Sequence, residues 1–332
     1  MTSILLSTAA LFLSAAPLCA AEAADRSMTV TNAKSVAVIA APTFRDVAYG
    51  RHPKQVIHFW KVEADKPTPL LVFIHGGSWT GGSRTDVRFC ALLPHLLKAK
   101  ISVASVEYRF IQEATADKVV PPVKGCLHDA ARAVQFLRSK AGEWNIDKAR
   151  VALSGGSAGA CSSLWLAFHD DLADPQSPDP VARESTRVLC AAVAIAQTTL
   201  DPQQMKEWTP NSTYGGHAFG FKGDRAKKLS PFAEYLASRD TILPWIAEYS
   251  PYALVTKDDP PVYLFYGTPP ALGQEQKDPT HTSNFGVKLQ ERCKSLGVAC
   301  ELFYPGVPDA KHATVQDYLI ERLSSPAAGG KE

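Results

Sequence analysis

The chain has 332 residues, of which 45% are hydrophobic and 20% charged, so it can bury a core and is not disordered. Its 35 Lys and Arg and 33 Asp and Glu leave a formal net charge of +2 at pH 7. This balance, without a Lys- or Arg-rich run, argues against nucleic acid or an anionic membrane surface as a partner and favours a small or neutral ligand.

The N-terminal residues have the composition of a secretory signal. An apolar stretch of 15 residues runs from Ile4 to Leu18 and is followed by small residues, whereas a helix needs about 20 residues to span a bilayer. We therefore expect residues 1–23 to be a signal peptide and the mature chain, 24–332, to be secreted or periplasmic. Cys19 raises the alternative of a lipoprotein, which the large Leu18 before it disfavours.

The cysteines permit disulfides but do not suggest a zinc site. Six of the seven follow the signal segment, and no Cys-x-x-Cys pair occurs, so we expect no metal site. In an oxidising compartment, Cys293 and Cys300 would close the shortest disulfide loop. The alternative is that several of these thiols are small buried apolar groups, and the sequence does not decide the pairing.

After the signal segment, apolar strands alternate with amphipathic helices. Short apolar runs predict buried strands, and apolar residues spaced three and four apart predict helices. The predicted strands are 44–49, 56–62, 69–75, 101–108, 150–154, 188–195, 262–266 and 301–304, and the predicted helices are 86–100, 123–140, 157–169, 284–296 and 313–323. Such alternation implies crossover connections, so the pattern predicts an α/β fold with a mostly parallel central sheet flanked by helices.

The alternation stops at residues 201–258. This segment holds nine aromatic residues in 58 positions, well above the 9% of the whole chain. One interpretation is an insertion with its own small core, and the other is a cap over a ligand cleft. We predict a single catalytic domain, 24–332, that carries this segment as a cap-like insertion.

A Gly-x-Ser-x-Gly motif follows the predicted strand at 150–154. Gly155, Ser157 and Gly159 stand where this strand leads into the next predicted helix, which is the context in which the motif marks a nucleophilic serine. Small neighbours allow a tight, strained turn, and the helix N-terminus brings backbone N–H groups beside the hydroxyl. We predict that Ser157 is the nucleophile; the alternative is a glycine-rich turn with an incidental serine.

A second glycine turn, His75 to Trp79, stands at the end of the third predicted strand. Consecutive glycines let backbone N–H groups point into a site without obstruction by side chains, as stabilisation of an oxyanion requires. We predict that Gly76, Gly77 and Ser78, with Ala158 behind the nucleophile, form an oxyanion hole. The histidine that opens this turn is expected to be structural.

A nucleophilic serine needs a base, and the base needs an orienting acid. Among nine histidines, His312 stands in the loop after the last predicted strand, where a parallel sheet places its site. The acid is expected after the preceding strand, because such triads run in the order serine, acid, histidine. Asp278 is favoured there over Glu275, with Asp309 as a further alternative, and His281 either joins the site or is exposed.

In this order the motifs resemble the α/β-hydrolase superfamily, and within it secreted bacterial esterases with a His-Gly-Gly-x-Trp loop, the hormone-sensitive-lipase-like and acetyl/feruloyl xylan esterase-like groups. The segments that carry the likeness, within roughly residues 44–323, are 72–79, 105–109, 155–159, 250–251, 260–262 and His312. The resemblance implies a Ser157–Asp278–His312 triad, a cap over the acyl pocket and no metal or organic cofactor. Trp79 and His217 are the candidate substrate-binding residues.

We therefore predict a secreted serine carboxylic ester hydrolase that forms an acyl-enzyme, with acetyl or feruloyl esters of polysaccharides as candidate substrates. An amidase, an arylformamidase-like enzyme or a peptidase on the same fold is one alternative. A non-catalytic binding protein is another, against which the serine, the histidine and the glycine loop argue. The expected partner is a small-molecule or carbohydrate ester, without nucleic acid or stable membrane insertion, and the oligomeric state stays open.

Overall fold

An eight-stranded sheet organises the residues that this computed structural model describes, 40–325. The strands are β1 (Phe44–Ala48), β2 (Val56–Trp60), β3 (Thr68–Ile74), β4 (Ser102–Val106), β5 (Ile146–Gly156), β6 (Cys190–Ala194), β7 (Val262–Phe265) and β8 (Cys300–Phe303). Their order across the sheet is β1-β2-β4-β3-β5-β6-β7-β8. β2 is antiparallel to β1 and β4, and the pairs from β4 to β8 are parallel. The predicted α/β fold is confirmed.

Helices connect the parallel strands and cover both faces of the sheet. They are α1 (Val87–Lys98), α2 (Ile111–Ala116), α3 (Val123–Ser139), α4 (Ala141–Trp144), α5 (Ala158–Phe168), α6 (Pro202–Trp208), α7 (Pro231–Ala237), α8 (Leu243–Tyr249), α9 (Pro251–Leu254), α10 (Asn284–Leu296) and α11 (Val315–Ser324). The helices α3 and α5 pack on one face, and α1 and α11 pack on the other.

The central strands build a core on each face. All seven residues of β3 are buried, with Leu70, Val72 and Ile74 in the cluster of α3 and α5 and with Leu71 and Phe73 in the cluster of α1 and α11. Successive side chains of a strand point to opposite faces, so a strand that is covered on both faces is apolar at nearly every position. This explains why the sequence of β3 does not alternate between apolar and polar residues.

Residues 201–258 form a helical insertion between β6 and β7. It contains α6 to α9 and the 3₁₀ turns Gly216–Phe219 and Arg239–Ile242. Its aromatic side chains pack on one another: the rings of Phe219 and Tyr235 lie 5.6 Å apart, and Tyr235 is fully buried. The insertion therefore has apolar contacts of its own.

The predictions for the N-terminal segment and for the cysteines are compared with the structure next. The signal peptide predicted at 1–23 lies outside the described residues. The six cysteines that follow it are free thiols, so Cys293 and Cys300 carry no disulfide here. Within residues 40–325, no helix is long and apolar enough to cross a membrane.

Candidate active site

Ser157 occupies a strained turn between β5 and α5. Its backbone has φ 55° and ψ −123°, a conformation that is costly for a residue with a side chain. The glycines beside it are required by space, since a Cβ at Gly155 would lie 2.4 Å from the carbonyl oxygen of Ile74 and one at Gly159 would lie 2.0 Å from it. The serine turn is thus packed directly against the end of β3, where the second glycine loop begins.

The loop after β3 carries the predicted oxyanion-hole residues. Gly77 and Ser78 have φ values of 101° and 56°, and the Gly77 carbonyl accepts the Thr80 N–H at 2.9 Å. Among the described residues, no hydrogen-bond acceptor contacts the backbone N–H of Gly77 or Ser78. The N–H of Ala158 belongs to the first turn of α5, where such groups have no partner within the helix. The oxyanion hole predicted at these N–H groups is thus compatible with the hydrogen bonds of the described residues.

A buried charged network supports this loop. His75 is fully buried, with Nδ1 2.7 Å from the Gly76 carbonyl oxygen and Nε2 3.2 Å from Glu107 Oε1. Arg84 Nη1 donates to Glu107 Oε2 at 3.1 Å. Burial raises the pKa of Glu107, but the hydrogen bond and charge of His75 and the Arg84 backbone N–H outweigh burial and hold that pKa below its ordinary 4.5. His75 thus supports the glycine loop, in agreement with its expected structural role.

A histidine and an aspartate from one turn complete the site. His281 Nε2 lies 2.9 Å from Ser157 Oγ, and His281 Nδ1 lies 2.8 Å from Asp278 Oδ2. The backbone N–H groups of Thr280 and His281 donate to Asp278 Oδ1 at 3.1 and 3.2 Å. The hydrogen bond from His281 is the main cause that lowers the pKa of Asp278, against the opposing effect of burial. Asp278 therefore orients the ring as an anion while it shapes the turn.

The structure corrects the predicted partner of Ser157. His312 is not at the serine: its Nδ1 lies 2.8 Å from Glu301 Oε2 and its Nε2 lies 3.0 Å from Glu321 Oε2. Both ring nitrogens are thus occupied by carboxylates that join β8 to α11. His281, which the sequence left either in the site or exposed, takes the position beside the hydroxyl.

The remaining predicted residues separate into those at the site and those away from it. All three candidate acids, Glu275, Asp278 and Asp309, are exposed, and it is Asp278 that contacts the histidine. Trp79 is fully buried, and its indole N–H donates to Ser162 Oγ at 2.9 Å, so its contact with substrate stays a prediction. His217 does border the glycine loop, because its Nε2 lies 3.1 Å from the Ser78 carbonyl oxygen, and burial lowers its pKa.

The insertion is also bonded to the loop that carries the histidine. Asn211 Nδ2 donates to the Gln276 carbonyl at 2.8 Å, and the Gln276 N–H returns a hydrogen bond to Asn211 Oδ1 at 3.0 Å. Farther along, Asn284 Nδ2 donates to the Trp208 carbonyl at 2.8 Å. Together with the contact of His217 to Ser78, these bonds place the insertion against the loop after β3 and the loop after β7.

Two features of the site went unrecognised at the level of sequence. One is the Asp-x-x-His spacing of Asp278 and His281, which is a usable signal because an aspartate in a turn bonds to backbone groups two and three residues ahead. The other is Gln197, whose amide contacts the Thr280 carbonyl at 2.7 Å. No pattern in the sequence marks this glutamine, since its role arises only when β6 and the later loop meet.

The arrangement can move a proton and stabilise a negative charge. A serine hydroxyl, an imidazole and a carboxylate in one hydrogen-bonded chain allow the hydroxyl to be deprotonated as it attacks a carbonyl carbon. The N–H groups of the neighbouring glycine loop suit the oxygen that becomes charged in that attack. Within the described residues, no group of three or more His, Cys, Asp or Glu side chains could hold a metal ion.

Comparison with known proteins identifies the family. The sequence profile of the BD-FAE family matches residues 58–276, about two thirds of the chain. The chain belongs to the BD-FAE family. The matched span contains the glycine loop and Ser157, and it ends two residues before Asp278, so the turn with the acid and the histidine lies just beyond it.

The chain is also similar in sequence to curated esterases. The chain is 26% identical over 231 residues to esterase LipC of Mycobacterium tuberculosis, a match that covers 68% of this chain and 50% of LipC. The chain spans half or less of the length of the curated relatives it matches.

Two solved structures show the same α/β-hydrolase fold. A truncated carbohydrate esterase from gut microbiota superimposes with a TM-score of 0.62 at 17% identity, covering 86% of this chain and 100% of that one. The acetyl ester-xyloside bifunctional hydrolase of Caldicellulosiruptor lactoaceticus superimposes with a TM-score of 0.54 at 21% identity, covering 81% and 85%. The predicted resemblance to α/β-hydrolase esterases is confirmed.

Proposed function

We propose that this protein is a serine carboxylic ester hydrolase with Ser157 as nucleophile, His281 as general base and Asp278 as orienting acid. The observation that carries the proposal is the continuous hydrogen-bonded chain from Ser157 Oγ through His281 to Asp278. Both distances are within the range that proton transfer requires. The family and its relatives, which include proteins named esterases, point to the same chemistry.

The reaction proceeds in two halves. His281 Nε2 takes the proton of Ser157 as the oxygen attacks the ester carbonyl, and the N–H groups of Gly77, Ser78 and Ala158 bind the oxyanion. His281 then gives that proton to the departing alcohol, which leaves an acyl group on the serine. In the second half, His281 takes a proton from water, the hydroxide attacks the acyl carbonyl, and the acid leaves as the proton returns to Ser157.

The proposed substrates are acetyl or feruloyl esters of carbohydrates. Support comes from the structural neighbours, one described as a carbohydrate esterase and another as an acetyl ester-xyloside hydrolase. The N-terminal apolar stretch that resembles a secretory signal is consistent with a polymer substrate outside the cytoplasm. Export and substrate class are thus parts of the same proposal.

Hydrolysis of p-nitrophenyl acetate by the purified chain tests the proposal. We expect turnover by the wild type and a fall to background in Ser157→Ala. Ser163→Ala is a matched control, because Ser163 is a buried serine on the same helix that donates to the Gly159 carbonyl; it should keep most of the activity. A fluorophosphonate should label the wild type and leave Ser157→Ala unlabelled. Equal activity in wild type and Ser157→Ala would overturn the proposal.

Release of acetate from acetylated xylan and of ferulate from feruloylated arabinoxylan tests the substrate class. We expect the wild type to release at least one of the two acids and Ser157→Ala to release neither. If the wild type cleaves p-nitrophenyl acetate but releases neither acetate nor ferulate from the polymers, the esterase assignment is supported and the proposal of carbohydrate esters as substrates is refuted.

A further inference from the structure

Gln197 lies just after β6, next to the nucleophile turn, and its side chain bonds to the turn that carries His281. It follows β6, whose last residue, Ala194, accepts the Ser157 N–H through its carbonyl at 3.1 Å. Its side chain is fully buried, and Nε2 donates to the Thr280 carbonyl at 2.7 Å. Thr280 lies in the turn 278–281, which begins with Asp278 and ends with His281. Gln197 therefore touches neither reacting atom but holds the turn from which both partners of the serine project.

The orientation of this amide follows from its neighbours. Besides the Thr280 carbonyl, Nε2 lies 3.4 Å from the Ile195 carbonyl oxygen. A carbonyl oxygen only accepts hydrogen bonds, so the nitrogen and not the oxygen of the side chain must face Thr280. Rotation of the amide by half a turn would place Oε1 of Gln197 against the Thr280 carbonyl oxygen, and two acceptors cannot form a hydrogen bond. Only one orientation of the amide therefore makes this bond.

The oxygen of the Gln197 amide indicates that this side chain does not mainly stabilise the fold. The Oε1 atom of Gln197 is buried without a hydrogen-bond partner among the described residues. An unsatisfied buried acceptor lowers the free energy of unfolding, so an apolar side chain of similar size would be favoured if packing alone mattered. The bond to Thr280 is the favourable interaction that the glutamine alone supplies.

The internal bonds of the turn fix its shape but not its distance from β6. Asp278 accepts from the N–H groups of Thr280 and His281, which holds the four residues together. These bonds do not tie the turn to the sheet, whereas Gln197 does. A shift of about 1 Å between a base and a nucleophile can cost roughly 100-fold in rate.

We propose that Gln197 is a positioning residue that fixes the Asp278–His281 turn against the end of β6 and so keeps His281 Nε2 within hydrogen-bond reach of Ser157. The inference rests on the proposed function, since it assigns a role within the same serine–histidine–aspartate chain. Loss of the amide should lower the rate of the chemical step and leave substrate binding largely unchanged.

The test compares Gln197→Met with Gln135→Met in the full chain. Methionine keeps the length of the side chain and removes the amide. Gln135 is a matched control, because it is also buried and its Nε2 donates to loop carbonyls, those of Leu172, Ala182 and Glu184, at 2.9 to 3.3 Å. The measurements are kcat and KM on p-nitrophenyl acetate, the rate of fluorophosphonate labelling, and Tm.

We expect Gln197→Met to lower kcat and the labelling rate by about 10- to 100-fold with KM changed less than about threefold. Gln135→Met should lower Tm, since it removes three hydrogen bonds to loop carbonyls, and should keep kcat close to the wild-type value. Equal kcat values in the two variants would overturn the positioning role. If Gln197→Met does not fold, Gln197→Asn carries the test, because it retains the amide on a side chain one methylene too short.

The two proposals fail in different ways. A wild type that neither hydrolyses the ester nor reacts with the fluorophosphonate refutes the serine hydrolase assignment itself, and the positioning role falls with it. A wild type whose activity requires Ser157, together with a Gln197→Met variant of normal kcat, refutes only the role of Gln197.

Discussion

An imidazole can take the proton of a serine only through a ring nitrogen that no carboxylate already engages. His281 meets this condition, since Nε2 faces Ser157 Oγ and only Nδ1 faces an acid, Asp278. His312 does not, because two glutamate carboxylates lie at 2.8 and 3.0 Å from its two ring nitrogens. The partners of each ring, and not its place in the order of the chain, decide which histidine can act as the base.

At Gly159 the absence of a side chain lets the serine turn meet the glycine loop. A Cβ there would lie 2.0 Å from the Ile74 carbonyl oxygen and 2.6 Å from that of His75. We expect Gly159→Ala to lower the free energy of unfolding by about 3 kcal/mol or more, since backbone must move to relieve the overlap. Because the same movement separates Ser157 from the oxyanion loop, kcat should fall by at least about 100-fold. Thermal unfolding and ester hydrolysis measure the two effects.

Gly142 offers the control for this substitution. It lies in α4, is exposed, and a Cβ there would meet nothing within 4 Å. Gly142→Ala should leave activity unchanged and raise stability by up to about 1 kcal/mol, as alanine favours helix over glycine. A Gly159→Ala variant as stable and active as Gly142→Ala would contradict the close packing of the serine turn.

At the scale of elements, one turn between β7 and α10 carries both the proposed acid and the proposed base. The sequence predicts Ser157, the glycine loop and Asp278 because each follows a strand, and parallel strands end at one edge of the sheet. It does not predict which histidine turns inward. That choice depends on the bonds from two backbone N–H groups to Asp278 and on the bond from Gln197, which form only in the folded chain.

The helices and strands differ in how well the sequence predicts them. Buried parallel strands such as β3 and β6 are visible as continuous apolar runs. The insertion is different, because its helices have seven residues or fewer and their aromatic side chains pack on one another without a regular period. Such short helices are held by tertiary contacts and not by local preference, so their bounds emerge only from the structure.

Glu107 links the end of β4 to the loop after β3, and its charge should be visible in the pH dependence of stability. Its pKa is lower in the folded chain than the ordinary 4.5. The carboxylate therefore stabilises the fold above pH 4.5, and this contribution is lost as the pH falls below 4.5 through the lowered value. We expect Glu107→Gln to lower the free energy of unfolding by about 1–3 kcal/mol at neutral pH.

Thermal unfolding from pH 3 to pH 7 checks this prediction. The difference in Tm between wild type and Glu107→Gln should be largest above about pH 5 and should shrink below about pH 4, where the wild-type carboxylate becomes protonated. A difference that stays constant over this range would show that the charge of Glu107 contributes nothing, and that any loss comes from altered packing alone.

At the scale of the whole molecule, the strand order places the loop after β7 nearer to the nucleophile strand than the loop after β8. In the order β5-β6-β7-β8, β7 is two strands from the nucleophile strand and β8 is three. With about 4.8 Å between neighbouring strands, the loop after β7 starts roughly 10 Å from β5 and that after β8 roughly 14 Å. The long segment 266–283 after β7 spans the shorter distance. His312 instead ties the sheet edge to α11 through Glu301 and Glu321.

The most direct test of the central claim is a comparison of ester hydrolysis by His281→Ala and His312→Ala. We predict that His281→Ala lowers kcat by about 100- to 10,000-fold, as expected on removal of a general base. His312→Ala should keep kcat within about threefold of wild type and should lower Tm, because it removes the imidazole that bridges Glu301 on β8 and Glu321 on α11. The opposite outcome, an active His281→Ala and a folded but inactive His312→Ala, would contradict the assignment of the base to the turn after β7.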